Sequence, residues 1–166
     1  MALKGPSMSP LMRSLLGGYC LLLIAVLLYL LIALLASASG GQGRLGLGPE
    51  GRLLLLVVIA GALGACIHMA TSFALFAGKS ELAASWLWWY LLRPPIGAAL
   101  GTVLYLVVRG VMFSTAADAE AVNTFGALAF AGLAGMFSKQ AIEWLRQVFD
   151  QMFRRLSDVE AEKEKD

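Results

Sequence analysis

His68 is the sole histidine of the chain and stands near the middle of a long apolar run, Leu53 to Ala77. An ionisable group at membrane depth is a functional candidate by default, because placing it there is costly. A neutral imidazole has a plainer use, hydrogen-bonding across helices, and that structural role is the preferred reading. Arg93 and Arg109 bracket another apolar run. A separation of about 16 residues gives roughly 24 Å along a helix at about 1.5 Å per residue. That suits two long side chains reaching to opposite membrane interfaces; the competing reading puts one of them in a water-filled pathway. Asp118, Glu120 and Asn123 fall together in a polar stretch. Repeated once per subunit around a symmetric oligomer, such carboxylates would form a ring at a pore mouth that gathers cations and repels anions. Their plainer reading is an acidic outer loop in water. Lys139 and Arg146 beyond the following run argue against cation preference, since a basic ring favours anions.

No catalytic constellation accompanies these groups. The sequence has no Gly-rich phosphate loop, no HExxH, no CxxC and no serine elbow. Nearly all carboxylates lie in polar connections or the tail, so chemistry at membrane depth would lack its paired acid and base. One histidine rules out a multi-histidine metal centre within one chain. Cys20 and Cys66 both sit in apolar runs and read as small buried hydrophobes, giving no disulfide framework. The expectation is a protein that is not an enzyme, with no catalytic, cofactor-binding or metal-ligating residues and no nucleic-acid partner.

The elements that position these groups are membrane helices. Of the 166 residues, 59% are hydrophobic and 14% charged, whereas soluble domains carry roughly 25% charged residues. Lipid is the solvent that accommodates this surplus, and the length suits one domain. Four apolar runs are expected to span, at about 15–36, 53–77, 86–109 and 124–137, within a transmembrane region 1–137. The first, Leu15 to Ala36, is about 22 residues and long enough for a bilayer core of roughly 30 Å. Ala36-Ser37-Ala38 resembles a signal cleavage site, but a signal core has about 7–15 apolar residues, so the run is read as a retained anchor. Ser37 to Arg52, Gly-rich with Pro49, reads as a loop.

Trp86-Leu87-Trp88-Trp89-Tyr90 reads as an interfacial aromatic belt. Pro94 and Pro95 each bias the preceding residue away from the α conformation and fit a first helical turn. A helix is therefore expected to start near Pro95 and run to Arg109, either extended by the aromatic segment as a kinked helix or tilted among other helices. Thr124 to Phe137 is short and rich in Gly and Ala. After it, Ala141, Leu145, Val148, Met152 and Leu156 recur at helical spacing, with Trp144 and Phe149 widening the stripe. This predicts an amphipathic cytoplasmic helix over 138–156, followed by a charged, disordered tail over 157–166.

Small residues mark the packing faces. Gly97 and Gly101 share one face of the third helix; Ala127, Ala131 and Gly135 share one face of the fourth. Where lipid gives no hydrophobic drive, such residues let backbones approach closely, so these helices are expected to form a tight hairpin. Gly61-Ala62-Leu63-Gly64-Ala65 is a further small-residue patch on the second. The basic C-terminal segment and Lys4 with Arg13 place both termini in the cytoplasm; Arg44 and Arg52 run against that rule.

Arg93-Pro94 leading through Gly97 to Arg109-Gly110, then Gly132-Leu133-Ala134-Gly135-Met136-Phe137-Ser138, Ala141, Leu145 and Val148-Phe149-Asp150, resembles a recurring unit of uncharacterised bacterial membrane proteins. The resemblance covers roughly Leu92 to Phe153. It implies a bacterial inner-membrane setting and no particular activity.

The expected fold is thus an all-α, polytopic membrane bundle of four helices plus the amphipathic helix. Its partners are the lipid bilayer, further copies of the chain, and another membrane or cytoplasmic protein met through 138–156. Two functions stay open at this point: a structural or accessory subunit of a membrane assembly, and an oligomeric cation-preferring channel lined by the third and fourth helices.

Overall fold

The computed structural model describes residues 9–37, 46–78, 86–112 and 123–163. Five helices account for nearly all of them: α1 (Pro10–Ala36), α2 (Pro49–Gly78), α3 (Leu87–Met112), α4 (Thr124–Met136) and α5 (Ser138–Lys163). Helix α1, helix α2 and the stretch Leu87–Gly110 of α3 are each long and apolar enough to cross a membrane. With 13 residues, α4 is not; at about 1.5 Å per residue it covers roughly 20 Å. Of the four expected spans, three are thus long helices; the fourth, already short in the sequence, reaches spanning length only when α4 is taken together with the bent continuation Ser138–Gln151.

Local chemistry sets the boundaries. The hydroxyl of Ser9 caps α1 by accepting from Met12 N–H, with Pro10 at the first helical position, where its missing donor has no helical partner in any case. Helix α2 begins at Pro49, inside the expected loop, with Glu50 in the first turn, where a carboxylate meets the positive end of the helix dipole. Helix α3 begins at Leu87 and carries Pro94 and Pro95 inside it, so the helix does not start at Pro95: of the two readings, extension by the aromatic segment holds, and that segment is the helix's own first turn. The two prolines remove the amide donors that would serve the carbonyls of Tyr90 and Leu91.

The helices run alternately up and down. Gly101 of α3 lies beside Gly61 of α2, and Gly97 beside Ala65, which sets these two antiparallel. Helix α4 runs parallel to α2, with Leu128 and Ala131 beside Leu56, Val57 and Ala60. Helix α1 packs on α2 through Leu16 and Cys20 against Cys66 and Met69. Helix α2 is the centre of the bundle: 56% of its most apolar window is buried, against 11% for α1. The outer surface of α1 (Leu21, Leu22, Val26, Tyr29, Ile32) is exposed, as suits a helix facing lipid.

At Phe137 the backbone leaves helical geometry, and α4 and the first part of α5 meet at a bend of 110°. Phe137 N–H still donates to the Leu133 carbonyl at 2.8 Å, and Ala141 N–H to that of Phe137 at 2.9 Å, so the corner costs few backbone bonds. Helix α5 continues to Lys163. Residues 157–163, expected to be disordered, are therefore helical, and 164–166 lie outside the described residues.

Candidate functional site

Three places in the bundle gather the polar or close-packed residues singled out in the sequence. The first is a junction of three helices. A side-chain carbon added to Gly97 would collide with the Ala65 side chain, and one added to Gly135 with the Gly61 carbonyl oxygen. One added to Gly61 would stand 2.5 Å from the Gly97 carbonyl oxygen. Gly101 meets the Gly61 Cα and Ala131 at 3.2 and 3.3 Å from the same construction. Gly97, Gly101, Ala131 and Gly135 are thus brought together: α3 and α4 meet closely, as expected, and α2 joins them as a third helix. Gly61, Gly64 and Gly132 complete it. Ala127 stands beside the adjoining cluster of Leu56 and Val57.

The second place is the bundle end where α2 starts and α3 finishes. Arg109 donates to the Glu50 carboxylate at 2.7 Å and to the Tyr105 hydroxyl at 2.9 Å. Glu50 is 81% exposed, so this pair lies at the surface of the bundle. Arg52 nearby donates to the Leu34 carbonyl and to Ser37 Oγ, tying the last turn of α1 to the first turn of α2. Neither Glu50 nor Arg52 stood out in the sequence as a partner. An acid one residue after a helix-starting proline was the available signal.

The third place lies towards the other end. The Arg93 guanidinium covers the face of Trp89, 5.1 Å from its centroid, a cation–π arrangement. The half-buried His68 ring lies 6.4 Å from the same indole. Arg93 is six positions inside α3 rather than at its first residue, which places it about 9 Å along the axis. Its Nε is buried without a hydrogen-bond partner among the described residues, as is the hydroxyl of fully buried Tyr90.

Among the pore-mouth candidates, Asp118 and Glu120 lie outside the described residues. Asn123 caps α4: its side-chain oxygen accepts from Phe125 and Gly126 N–H. Outward of the three-helix junction, α3, α4 and the start of α5 enclose a groove of about 560 Å³. Leu104, Tyr105, Phe130, Leu133, Phe137 and Trp144 form most of its wall, with Arg109 and Asn123 at one end. The groove is apolar and opens sideways from the bundle. No group of three or more metal-ligating side chains occurs among the described residues. Compared with known proteins, the chain matches no family model, no curated protein and no solved structure.

Proposed function

We propose that this chain is a non-enzymatic membrane-embedded subunit with a structural or accessory role, in a bacterial inner membrane with both termini cytoplasmic. In this reading α4 is a fourth, short membrane element set against α2 and α3. The observation that carries it is the glycine junction. Backbones of α2, α3 and α4 touch where a conducting path through a single chain would have to run. A bundle closed so tightly at its centre serves as a scaffold presenting its outer surfaces.

Self-association was expected from small-residue faces beyond the needs of one hairpin. Helix α2 takes up those faces within the chain, so what is left for another copy or a different membrane subunit is exposed apolar surface, including the outer side of α1, the least buried of the three long helices. The alternative, an oligomeric channel lined by α3 and α4, has one supporting observation, the sideways groove between them. Its wall is apolar, whereas cation pathways keep ionisable or carbonyl groups along their length.

Extraction in native-lipid particles, without detergent, with mass identification of every co-purifying chain tests the reading. The expected result is a particle containing a second membrane subunit or a second copy. A lone chain at every concentration, with conduction on reconstitution, would overturn it.

A further inference from the structure

We infer that α5 lies in the plane of the membrane surface, its apolar face sunk into the headgroup–acyl boundary and its boundary cations on anionic lipid headgroups. This rests on the reading of α4 as a membrane-embedded element.

A bend of 110° separates α4 from the first part of α5. If α4 stands along the bilayer normal, α5 runs nearly parallel to the surface and leans slightly back towards the bilayer. Ala141 and Trp144 line the same groove as Phe130 and Leu133 of α4 and Phe137 at the corner. The apolar face of α5 therefore looks into the inner angle of the bend, the side on which α4 exposes its own apolar surface. Ile142, Trp144, Phe149 and Phe153 are all exposed, and the rings of Phe149 and Phe153 lie 4.6 Å apart. The groove in the corner has the lining that an acyl chain needs.

At about 100° per residue, residues seven apart form a row that drifts only about 20°. Lys139 and Arg146 make such a row, directly beside Ile142 and Phe149. Glu143 and Asp150 make the next row outward, away from the stripe. Arg146 and Glu143 approach to 3.9 Å, both well exposed, a contact too loose and wet to hold the arginine from other anions. Over residues 139–150, cations stand at the edge of the apolar face and acids on its far side, the order expected for a helix lying on anionic lipid; Arg154, further along, falls on the far side with the acids. Trp144 stands at the other edge of the stripe, where an indole is favoured at headgroup level.

The test uses the full chain, with Cys20 and Cys66 replaced by Ala, in vesicles of phosphatidylcholine with phosphatidylglycerol. Single spin labels are placed at Ile142, Phe149, Glu143 and Asp150 in α5 and at Phe130 in α4, and collision with oxygen and with a water-soluble nickel chelate is measured. Labels at 142 and 149 are expected in lipid, about 5–10 Å below the headgroups, with 143 and 150 in water and 130 deeper in lipid. Lys139→Glu with Arg146→Glu is expected to make the label at 149 shallower in the anionic vesicles and to leave it unmoved in pure phosphatidylcholine. Lipid exposure at 130 with water exposure at 142 and 149 would overturn the inference alone. Shielding of 142 and 149 from both reagents would also overturn it, in favour of a protein occupant. Water exposure at 130 would overturn the membrane reading of α4 as well.

Discussion

Gly64 of α2 faces Gly132 of α4 so closely that a side-chain carbon on Gly64 would land on the Gly132 carbonyl oxygen. The contact is not symmetric. A carbon added to Gly132 would meet only the Ala60 carbonyl oxygen, at an ordinary 3.6 Å. Two glycines in one contact should therefore differ. Gly64→Ala forces backbone apart and is expected to cost about 1–3 kcal/mol or more. Gly132→Ala gains helix propensity, worth up to about 1 kcal/mol, and should be neutral or stabilising. Gly18→Ala, with nothing near its added carbon, is the control. Reversible denaturation in mixed micelles gives the ranking, and equal losses at 64 and 132 would contradict this packing.

Tyr90 gives a second contrast. Its side chain is fully buried among Leu16, Cys20, Cys66 and Met69, and its hydroxyl has no hydrogen-bond partner among the described residues. An unpaired buried hydroxyl costs about 1–3 kcal/mol, so Tyr90→Phe should hold or raise stability. Tyr90→Ala removes the ring from the core and from its edge contacts with Phe73 and Trp89, and should cost about 3–5 kcal/mol. A clear loss in Tyr90→Phe, seen in the same denaturation assay, would mean that the hydroxyl has a partner.

The parts of this architecture legible in the sequence are those set by short-range rules. Spacing of four marked Gly97 with Gly101, and Ala131 with Gly135, as packing faces, because residues four apart share one side of a helix. Spacing does not say which helix meets that face, and α2 was the missing member: its register against α3 and α4 is fixed by all three surfaces at once. The change of periodicity at Ser138 marked the start of α5, but no local pattern encodes a bend of 110°. Pro94 and Pro95 illustrate the reverse failure. The local rule favoured a helix start, yet the aromatic turn before them packs into the bundle through Tyr90, and that burial carries the helix back to Leu87. Asn123, grouped with two acids as a pore mouth, was legible all along as a cap, since it directly precedes an apolar helical run.

The alternation of helix direction makes an accessibility prediction. Gly48 and Gly110 both lie at the end marked by Arg109 and Glu50, and Gly78 lies at the other end. An added side chain at any of the three meets open space, so single cysteines there should not disturb folding. Cys20 and Cys66 are buried and should stay unreactive. In sealed vesicles an impermeant maleimide should label positions 48 and 110 from one side and position 78 from the other. Labelling of 48 and 110 from opposite sides would refute the up-and-down arrangement.

The last prediction concerns conduction. A path along the axis of one chain is closed by the contacts among Gly61, Gly97, Gly101 and Gly135. The groove beside α4 is walled by Leu104, Phe130, Leu133 and Phe137, which give an ion nothing to replace its water shell. Reconstituted into planar bilayers at high protein density, the chain should therefore give flat current. Asn123→Ala removes a cap that accepts two backbone donors and should cost about 0.5–2 kcal/mol of stability without opening a path. Were current to appear, the acids of the preceding segment become the discriminating residues. Asp118→Asn with Glu120→Gln should then lower cation over anion selectivity, most clearly at low salt, where screening is weak. A current whose reversal potential ignores that double substitution would sink both the accessory reading and the acidic mouth, and would direct attention to the copies surrounding the α3–α4 groove.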